Sequence, residues 1–200
     1  MVVFARVPEP GRVKTRLAAT IGDDAACEVY RAMGAHIVSA LTRDEARPYD
    51  VRVSFTPREG EGAMRAWLPS ADSYGAQVEG DLGVRMAHEV SRAFGEGWSA
   101  VVLVGTDCLA VDGARVRESL DALTRGCDAV IGPAHDGGYY LLAMSRELPV
   151  FEGVPWSTEV VAEVTRARLR GAGVRWSELA VERDVDTAED LAAVGWRRGE

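Results

Sequence analysis

The chain has 200 residues, of which 47% are hydrophobic and 27% are charged. This composition is typical of one globular domain with a sizeable core, and it excludes an intrinsically disordered chain. The 23 basic and 31 acidic residues give a net charge of −8, so no overall field favours nucleic acid or an anionic membrane. We expect a cytoplasmic protein without those partners, because its apolar runs are too short to span a membrane and its first residues lack a secretory signal pattern.

Apolar, β-branched runs alternate with longer segments of helical period along the first two thirds of the chain. That alternation predicts βα units and a mainly parallel, doubly wound sheet. The predicted elements, in chain order, are strand 2–5, helix 23–41, strand 51–55, helix 82–94, strand 100–105, helix 114–124 and strand 128–132. Asp23 or Asp24 can cap the first helix. Frequent Gly, Pro and Ser between residues 57 and 80 indicate a small lid.

The pattern changes after residue 132. The pair Gly137-Gly138 predicts a turn, and residues 139–144 predict a hairpin-like, antiparallel strand. Later elements are a helix from Ser157 to about residue 169, a short strand at 174–179, and a helix from Thr187, where Thr187 and Asp190 match a capping box. No linker or repeat separates these elements, so we predict one domain over residues 1–200.

Basic residues cluster directly after the first predicted strand. They are Arg6, Arg12, Lys14 and Arg16, and Lys14 is the single lysine among the 23 basic residues. Ligands of open α/β sheets bind at the carboxyl ends of strands, and cations this close together repel one another unless an anion joins them. The loop therefore predicts a polyphosphate site, although the Walker spacing is absent. The alternative is a solvated basic turn.

Acidic residues occupy two comparable positions. Asp107 follows strand 100–105, and Asp184 and Asp186 alternate before the last helix. Alternation places both carboxylates on one side of an extended segment, and carboxylates at a sheet edge can hold a divalent cation against phosphates. The alternatives are a turn or cap residue for Asp107 and a helix-dipole charge for Asp186. With the basic loop, the acids predict a metal-dependent phosphoryl-group transferase.

The turn after residue 132 offers weaker signals. The paired glycines Gly137 and Gly138 allow backbone amides to approach a ligand, and Tyr139 could flank it. The alternative is an ordinary turn, and we expect His135 to be a surface residue. The three cysteines lack C-x-x-C spacing, which favours reduced thiols, and we expect Cys108 to be a small buried side chain rather than a nucleophile.

Six segments, in order along nearly the whole chain, carry a resemblance to one protein family. They are residues 4–17, 77–86, 105–108, 132–141, 155–158 and 184–187. They resemble the motifs of bacterial nucleotide-diphospho-sugar transferase-like proteins, also described as glycosyltransferases of an arsenosugar-biosynthesis type. More distantly, segment 14–17 and the aspartates resemble guanylyltransferases that act on phospholactate or phosphoenolpyruvate. The chain departs from the family at Arg6, where lysine is usual, and at Leu109, where proline is usual.

The resemblance implies a glycosyltransferase A fold: a three-layer α/β/α sandwich whose mainly parallel, doubly wound sheet has one antiparallel element. It implies Mg²⁺ or Mn²⁺ as cofactor and four groups of site residues, the first of which is the catalytic group of Lys14, Arg16 and Asp107. The expected nucleotide- and phosphate-binding residues are Arg6, Gly11, Arg12, Lys14, Thr15, Arg16, Gly80, Asp81 and Arg85. The expected acceptor-binding residues are Asp136, Gly137, Gly138, Tyr139, Trp156, Ser157 and Thr158. The expected metal ligands are Asp107, Asp184 and Asp186.

Two reactions suit these residues, and both use a metal to neutralise developing negative charge. In nucleotidyl transfer a small phosphorylated acceptor attacks a nucleoside triphosphate and releases pyrophosphate. In glycosyl transfer an acceptor attacks the sugar of a nucleotide sugar. The density of cations after the first strand favours nucleotidyl transfer, since pyrophosphate is the leaving group. A non-catalytic protein that binds a nucleotide or metabolite is a third alternative. The sequence leaves the oligomeric state open, and a homodimer is one alternative.

Overall fold

The computed structural model describes residues 1–196, so the last four residues of the predicted domain lie outside the description. The elements are β1 (Val2–Arg6), α1 (Thr15–Ile21), α2 (Asp23–Thr42), β2 (Arg52–Thr56), α3 (Glu61–Trp67), β3 (Ser73–Ala76), α4 (Leu82–Gly95), β4 (Val101–Val104), α5 (Gly113–Thr124), β5 (Ala129–Pro133), β6 (Tyr139–Met144), α6 (Val161–Gly171), β7 (Trp176–Glu178) and α7 (Ala188–Ala193). A short 3₁₀ helix, Arg58–Gly60, precedes α3.

The strands form a seven-stranded sheet in the order β3-β2-β1-β4-β6-β5-β7. β6 runs antiparallel to both of its neighbours, and the other neighbouring strands pair in parallel. The turn between β5 and β6 is too short for the crossover that parallel pairing needs, which explains the one antiparallel element. The predicted doubly wound, mainly parallel sheet is confirmed.

Both faces of the sheet are covered by helices, so the central strands are apolar at successive positions. On one face Val3 and Val104 pack in a cluster with Ile37 of α2, and α3 and α5 contribute to the same cluster. On the other face Val101 packs in a cluster with Met86 of α4, and α6 contributes Leu169. This arrangement confirms the three-layer α/β/α sandwich.

The predicted lid between residues 57 and 80 is wrong. That segment contains α3 and β3, and β3 extends the sheet by pairing with β2, Val53 opposite Tyr74. The sequence of β3, Ser-Tyr-Gly-Ala, is too short and too polar to be recognised as a strand. It forms because the backbone groups of β2 need partners at the edge of the sheet.

Helix starts also differ from prediction. Gly22 is the N-cap of α2 without a side-chain cap, and Asp23 and Asp24 lie in the first turn, where their charges favour the helix dipole. α6 begins at Val161 rather than near Ser157, whose positive φ of 64° interrupts a helix. The capping box at Thr187 is confirmed. No helix among residues 1–196 is long and apolar enough to cross a membrane.

Candidate active site

The four predicted site segments meet at one edge of the sheet. β1 and β4 pair in parallel, so their carboxyl ends, at Arg6 and Val104, lie at the same edge. β6 is antiparallel to β4, with Val104 opposite Leu141, so the turn before β6 reaches that edge too. The tail loop joins them because Val185 N donates to Asp107 O at 2.8 Å. Ligands of open α/β sheets bind at this position.

The basic loop, residues 6–16, is held by two buried side chains. Val13 is buried, and Leu17 in α1 is fully buried. Gly11 has a φ of 76° and Lys14 a φ of 48°, both in the left-handed region. For a lysine this conformation costs about 1 kcal/mol, which the ion pairs of its ammonium can offset.

The ammonium of Lys14 lies between two carboxylates. Lys14 Nζ is 2.6 Å from Asp107 Oδ1 and 2.9 Å from Asp186 Oδ1, and its side chain is only 4% exposed. Burial acts to lower the pKa of Lys14, but the charges of Asp107 and Asp186 outweigh it, so that the pKa is raised. Lys14 is therefore a permanently charged link between the basic loop, the end of β4 and the tail loop.

Two further cations of the loop remain on its outside. Arg12 is 68% exposed and pairs with Glu9 at 3.2 Å. Arg16 is 70% exposed and lies 3.7 Å from Asp186 Oδ2. Exposed pairs of this kind contribute little to stability, so both guanidinium groups are available to an incoming anion.

Asp184 is a largely buried carboxyl group of the site with a raised pKa. Burial, together with the charges of Asp107, Asp136 and Asp186, raises its pKa to about 7, although Lys14 opposes the shift. Asp184 Oδ1 is buried and has no hydrogen-bond partner within residues 1–196. Negative charge is therefore concentrated here beyond what one lysine neutralises.

Two cavities meet at Asp107. The first, which we call the basic cavity, has a volume of about 280 Å³ and is lined by Arg6, Arg12, Val13, Lys14, Thr15, Arg16, Tyr30, Asp107 and Asp186. The second, the apolar cavity, has a volume of about 260 Å³ and lies between β1, β4, β6 and α4. Asp107 lines both cavities, so a ligand in one can reach a ligand in the other beside this carboxylate.

Tyr30, in α2, lies at the site although it is not among the site residues predicted from the sequence. Its hydroxyl accepts from Arg6 N at 2.9 Å and from Thr106 Oγ1 at 3.2 Å. The phenol thus connects the ends of β1 and β4 beneath the basic cavity. The available signal was the polar tip of a buried tyrosine, which needs hydrogen-bond partners.

The first residue of β6 contributes to a cavity wall, and the turn before it contributes shaping residues. Tyr139 lines the apolar cavity. Asp136 accepts from Gly138 N at 2.9 Å, which stabilises the turn. Gly137 has a φ of 87°, and a Cβ there would lie 1.9 Å from Glu159 O, so the segment before α6 packs directly on this glycine.

Of the expected acceptor residues in that segment, Trp156 is packed and the others are exposed. The indole of Trp156 lies against Gly83 of α4, where a Cβ would come within 2.8 Å of Nε1. Ser157 and Thr158 are exposed, and Thr158 Oγ1 donates to Pro155 O at 2.6 Å. None of the three lines either of the two cavities.

Gly80, Asp81 and Arg85, expected at the nucleotide, make local structural contacts. Asp81 is the N-cap of α4 and accepts from Val84 N at 2.9 Å. Arg85 donates to Gly80 O at 2.9 Å and to Gln77 Oε1 at 3.1 Å. In the described chain the linings of the two cavities do not include these three residues, although Leu82, one residue beyond Asp81, lines the apolar cavity.

The carboxylates of Asp107, Asp184 and Asp186 have the chemistry to bind a hard divalent cation, but their positions do not form a complete ligand set. Oxygen ligands are those that Mg²⁺ and Mn²⁺ prefer, and Asp184 has an unpartnered buried oxygen. Within residues 1–196, however, no group of three or more His, Cys, Asp or Glu side chains is placed to hold a metal ion. Lys14 takes the place of a counter-ion between Asp107 and Asp186.

The raised pKa of Asp184 predicts a pH-dependent stability. Its folded pKa, about 7, exceeds the ordinary value of 3.8, so the free energy of unfolding falls as pH rises between those values and stays low above them. The variant Asp184→Asn has no ionisable group at this position, so its free energy of unfolding does not show this fall. The melting temperature of Asp184→Asn minus that of the parent should increase by about 4 °C or more from pH 4.5 to pH 8, measured by calorimetry. Asp121→Asn, on the exposed face of α5, is the control, and parallel pH profiles for parent and Asp184→Asn would contradict the prediction.

The comparisons with solved structures agree with this geometry. A candidate nucleotide-diphospho-sugar transferase from Desulfovibrio desulfuricans G20 is 36% identical, with a TM-score of 0.88, over 96% of this chain and 84% of that one. CMP:2-keto-3-deoxy-manno-octonic acid synthetase, solved with CTP, is 13% identical with a TM-score of 0.58, over 96% and 95%. Glucosyl-3-phosphoglycerate synthase from Mycobacterium tuberculosis, solved with Mn²⁺, UDP and glucosyl-3-phosphoglycerate, is 12% identical with a TM-score of 0.59, over 96% and 73%. The last two likenesses show the fold alone.

The identity of 36% over 96% of the chain places the protein in the family of that nucleotide-diphospho-sugar transferase relative, which confirms the predicted resemblance, fold and transferase class. More narrowly, residues 40–158 match the family described as "Uncharacterized protein conserved in bacteria (DUF2064)", and the chain belongs to that family. None of the curated proteins matches the chain.

Proposed function

We propose that the protein catalyses nucleotidyl transfer from a nucleoside triphosphate to a small acceptor, with release of pyrophosphate. The observation that carries this proposal is the pair of cavities that meet at Asp107, one with four cationic side chains and the other mainly apolar. Such a pair separates a polyphosphate from an acceptor and brings their reacting atoms together.

The basic cavity suits the triphosphate. Arg12 and Arg16 are exposed at its rim, and a guanidinium group can bind a phosphate through two parallel hydrogen bonds. Thr15 in the first turn of α1 adds a hydroxyl donor. We assign to these groups the stabilisation of negative charge on the leaving pyrophosphate.

Asp107, Asp184 and Asp186 are the residues that would hold Mg²⁺ or Mn²⁺. Bound there, the ion would neutralise charge on the phosphates. The chain's own part is to place the triphosphate beside Asp107 and to keep Lys14 as a fixed positive charge beneath it. Asp186 contacts both Lys14 and Arg16, so binding of an anion by Arg16 is coupled to the acidic group.

Glycosyl transfer is the second candidate function, favoured by the nucleotide-diphospho-sugar transferase assignment of the relative from Desulfovibrio desulfuricans. The two functions differ in their products. With Mg²⁺, one nucleoside triphosphate and a mixed pool of alcohols, carboxylates and phosphate esters, we expect acceptor-dependent release of pyrophosphate, measured by a coupled assay. EDTA should abolish the release. Transfer from a nucleotide sugar, with no pyrophosphate from any triphosphate, would favour glycosyl transfer instead.

A further inference from the structure

The walls of the apolar cavity are mainly hydrophobic. They are formed largely by Phe4 on β1, Leu82 and Met86 on α4, Leu103 on β4 and Tyr139 on β6. Its volume of about 260 Å³ is slightly below the range of roughly 300–1,000 Å³ usual for small-molecule pockets. The cavity therefore fits a ring-sized apolar group.

The charged side chains that line this cavity are both acidic. They are Asp107 and Asp184, and its lining within residues 1–196 includes no lysine, arginine or histidine. Tyr140, also in the lining, already donates its hydroxyl to Ala180 O at 3.1 Å. Cys108 also lines the cavity and is buried.

An anionic group would enter this cavity at a high free-energy cost. A buried charge without a paired cation or hydrogen-bond donors is strongly unfavourable, and the lining of this cavity within residues 1–196 offers no cationic side chain to pair with it. The cations Arg6, Arg12 and Arg16 line the other cavity. These cations suit the triphosphate, whereas the phosphorylated acceptor predicted from the sequence would meet no cationic side chain of residues 1–196 in the apolar cavity.

We propose that the apolar cavity binds the uncharged, apolar body of the acceptor, and that the acceptor is an apolar alcohol rather than a phosphate ester. This inference rests on the nucleotidyl transfer proposed above. The acceptor hydroxyl oxygen bonds to the α-phosphorus, and the bond between the α-phosphorus and its bridging oxygen to the β-phosphorus breaks. Pyrophosphate leaves with that electron pair, and the hydroxyl proton passes to solvent.

Leu82 provides a way to change the preference without disturbing the core. It is the first residue of α4, lines the cavity and is 41% exposed, so a longer side chain is tolerated. Leu82→Arg adds a guanidinium group to the cavity wall. Val84→Arg is the matched control, because Val84 is 50% exposed on the same helix but does not line the cavity, and residues two apart do not share a helix face.

The test compares benzyl alcohol with benzyl phosphate by ligand-observed NMR titration, with Mg²⁺ and a non-hydrolysable nucleoside triphosphate analogue present. We expect the parent and Val84→Arg to bind the alcohol at least about 10-fold more tightly than the phosphate. Leu82→Arg should reduce that ratio by at least about 10-fold, with a melting temperature close to that of Val84→Arg. A parent that binds the phosphate as tightly as the alcohol, or that binds neither, would overturn the proposal. An equal change of ratio in both variants would overturn it too.

Pyrophosphate release separates this inference from the function on which it rests. If the alcohol binds as expected but no triphosphate yields pyrophosphate with it or with the phosphate, nucleotidyl transfer fails and the assignment of the cavity stands. If pyrophosphate is released with benzyl phosphate but not with benzyl alcohol, nucleotidyl transfer stands and the assignment of the acceptor fails.

Discussion

Replacing Lys14 with arginine is expected to lower kcat for pyrophosphate release by about 100-fold, a loss of about 2.7 kcal/mol of transition-state stabilisation. The reason is shape rather than charge. Lys14 Nζ is a compact charge within 2.9 Å of oxygens from both Asp107 and Asp186, on a side chain that is 4% exposed. A planar guanidinium group is larger and directs its donors differently. We expect it to displace one carboxylate and to shift the loop that holds the triphosphate.

Two companion variants test this explanation. Lys14→Met keeps most of the length of the unbranched side chain but leaves Asp107 and Asp186 without their shared cation. It should therefore lose more activity than Lys14→Arg and also melt at a lower temperature. Arg125→Lys, the opposite exchange at an exposed position after α5, should leave steady-state kinetics unchanged. A Lys14→Arg enzyme with kcat within about twofold of the parent would show that a positive charge alone is sufficient there.

Asp107→Asn is expected to lower kcat by at least about 1,000-fold, equivalent to about 4 kcal/mol, while the fold survives. Asp107 lies where the two cavities meet, so its charge acts beside the reacting phosphorus in the proposed reaction. The change conserves shape and removes only the charge. Lys14 keeps its ion pair with Asp186 at 2.9 Å, which leaves the loop anchored.

The measurement is steady-state pyrophosphate release, with the melting temperature recorded alongside. The melting temperature of Asp107→Asn should stay within about 3 °C of the parent, a change that corresponds to roughly 1 kcal/mol for a chain of this size. Asp121→Asn makes the same chemical change on the solvent face of α5 and should retain full activity. Full activity in Asp107→Asn would exclude both the metal-binding and the electrostatic role of this carboxylate.

All strands with apolar, β-branched runs were recognised from sequence, and so were β6, after the Gly137-Gly138 turn, and β7 in the tail. β1, β2, β4 and β5 bury both faces under helices, and this burial demands the runs that reveal them. β3 and α1 were not recognised because their formation depends on partners distant in sequence. β3 needs the free edge of β2, and α1 follows a left-handed turn at Lys14 and is anchored by the buried Leu17.

The segments that form the site could be found from local sequence. Ligands of open α/β sheets bind at the carboxyl ends of the strands, so the residues that directly follow parallel strands are the candidates. The basic loop, Asp107 and the Asp184–Asp186 pair were found in that way. Their division of labour depends on distances between segments that lie far apart along the chain. Only the folded chain shows Lys14 bound to Asp186, 172 positions away. The folded chain also shows that Tyr30 connects the ends of β1 and β4. It shows as well that the cations line the basic cavity, whereas the second cavity is mainly apolar. Such contacts are set by packing, which local patterns do not encode.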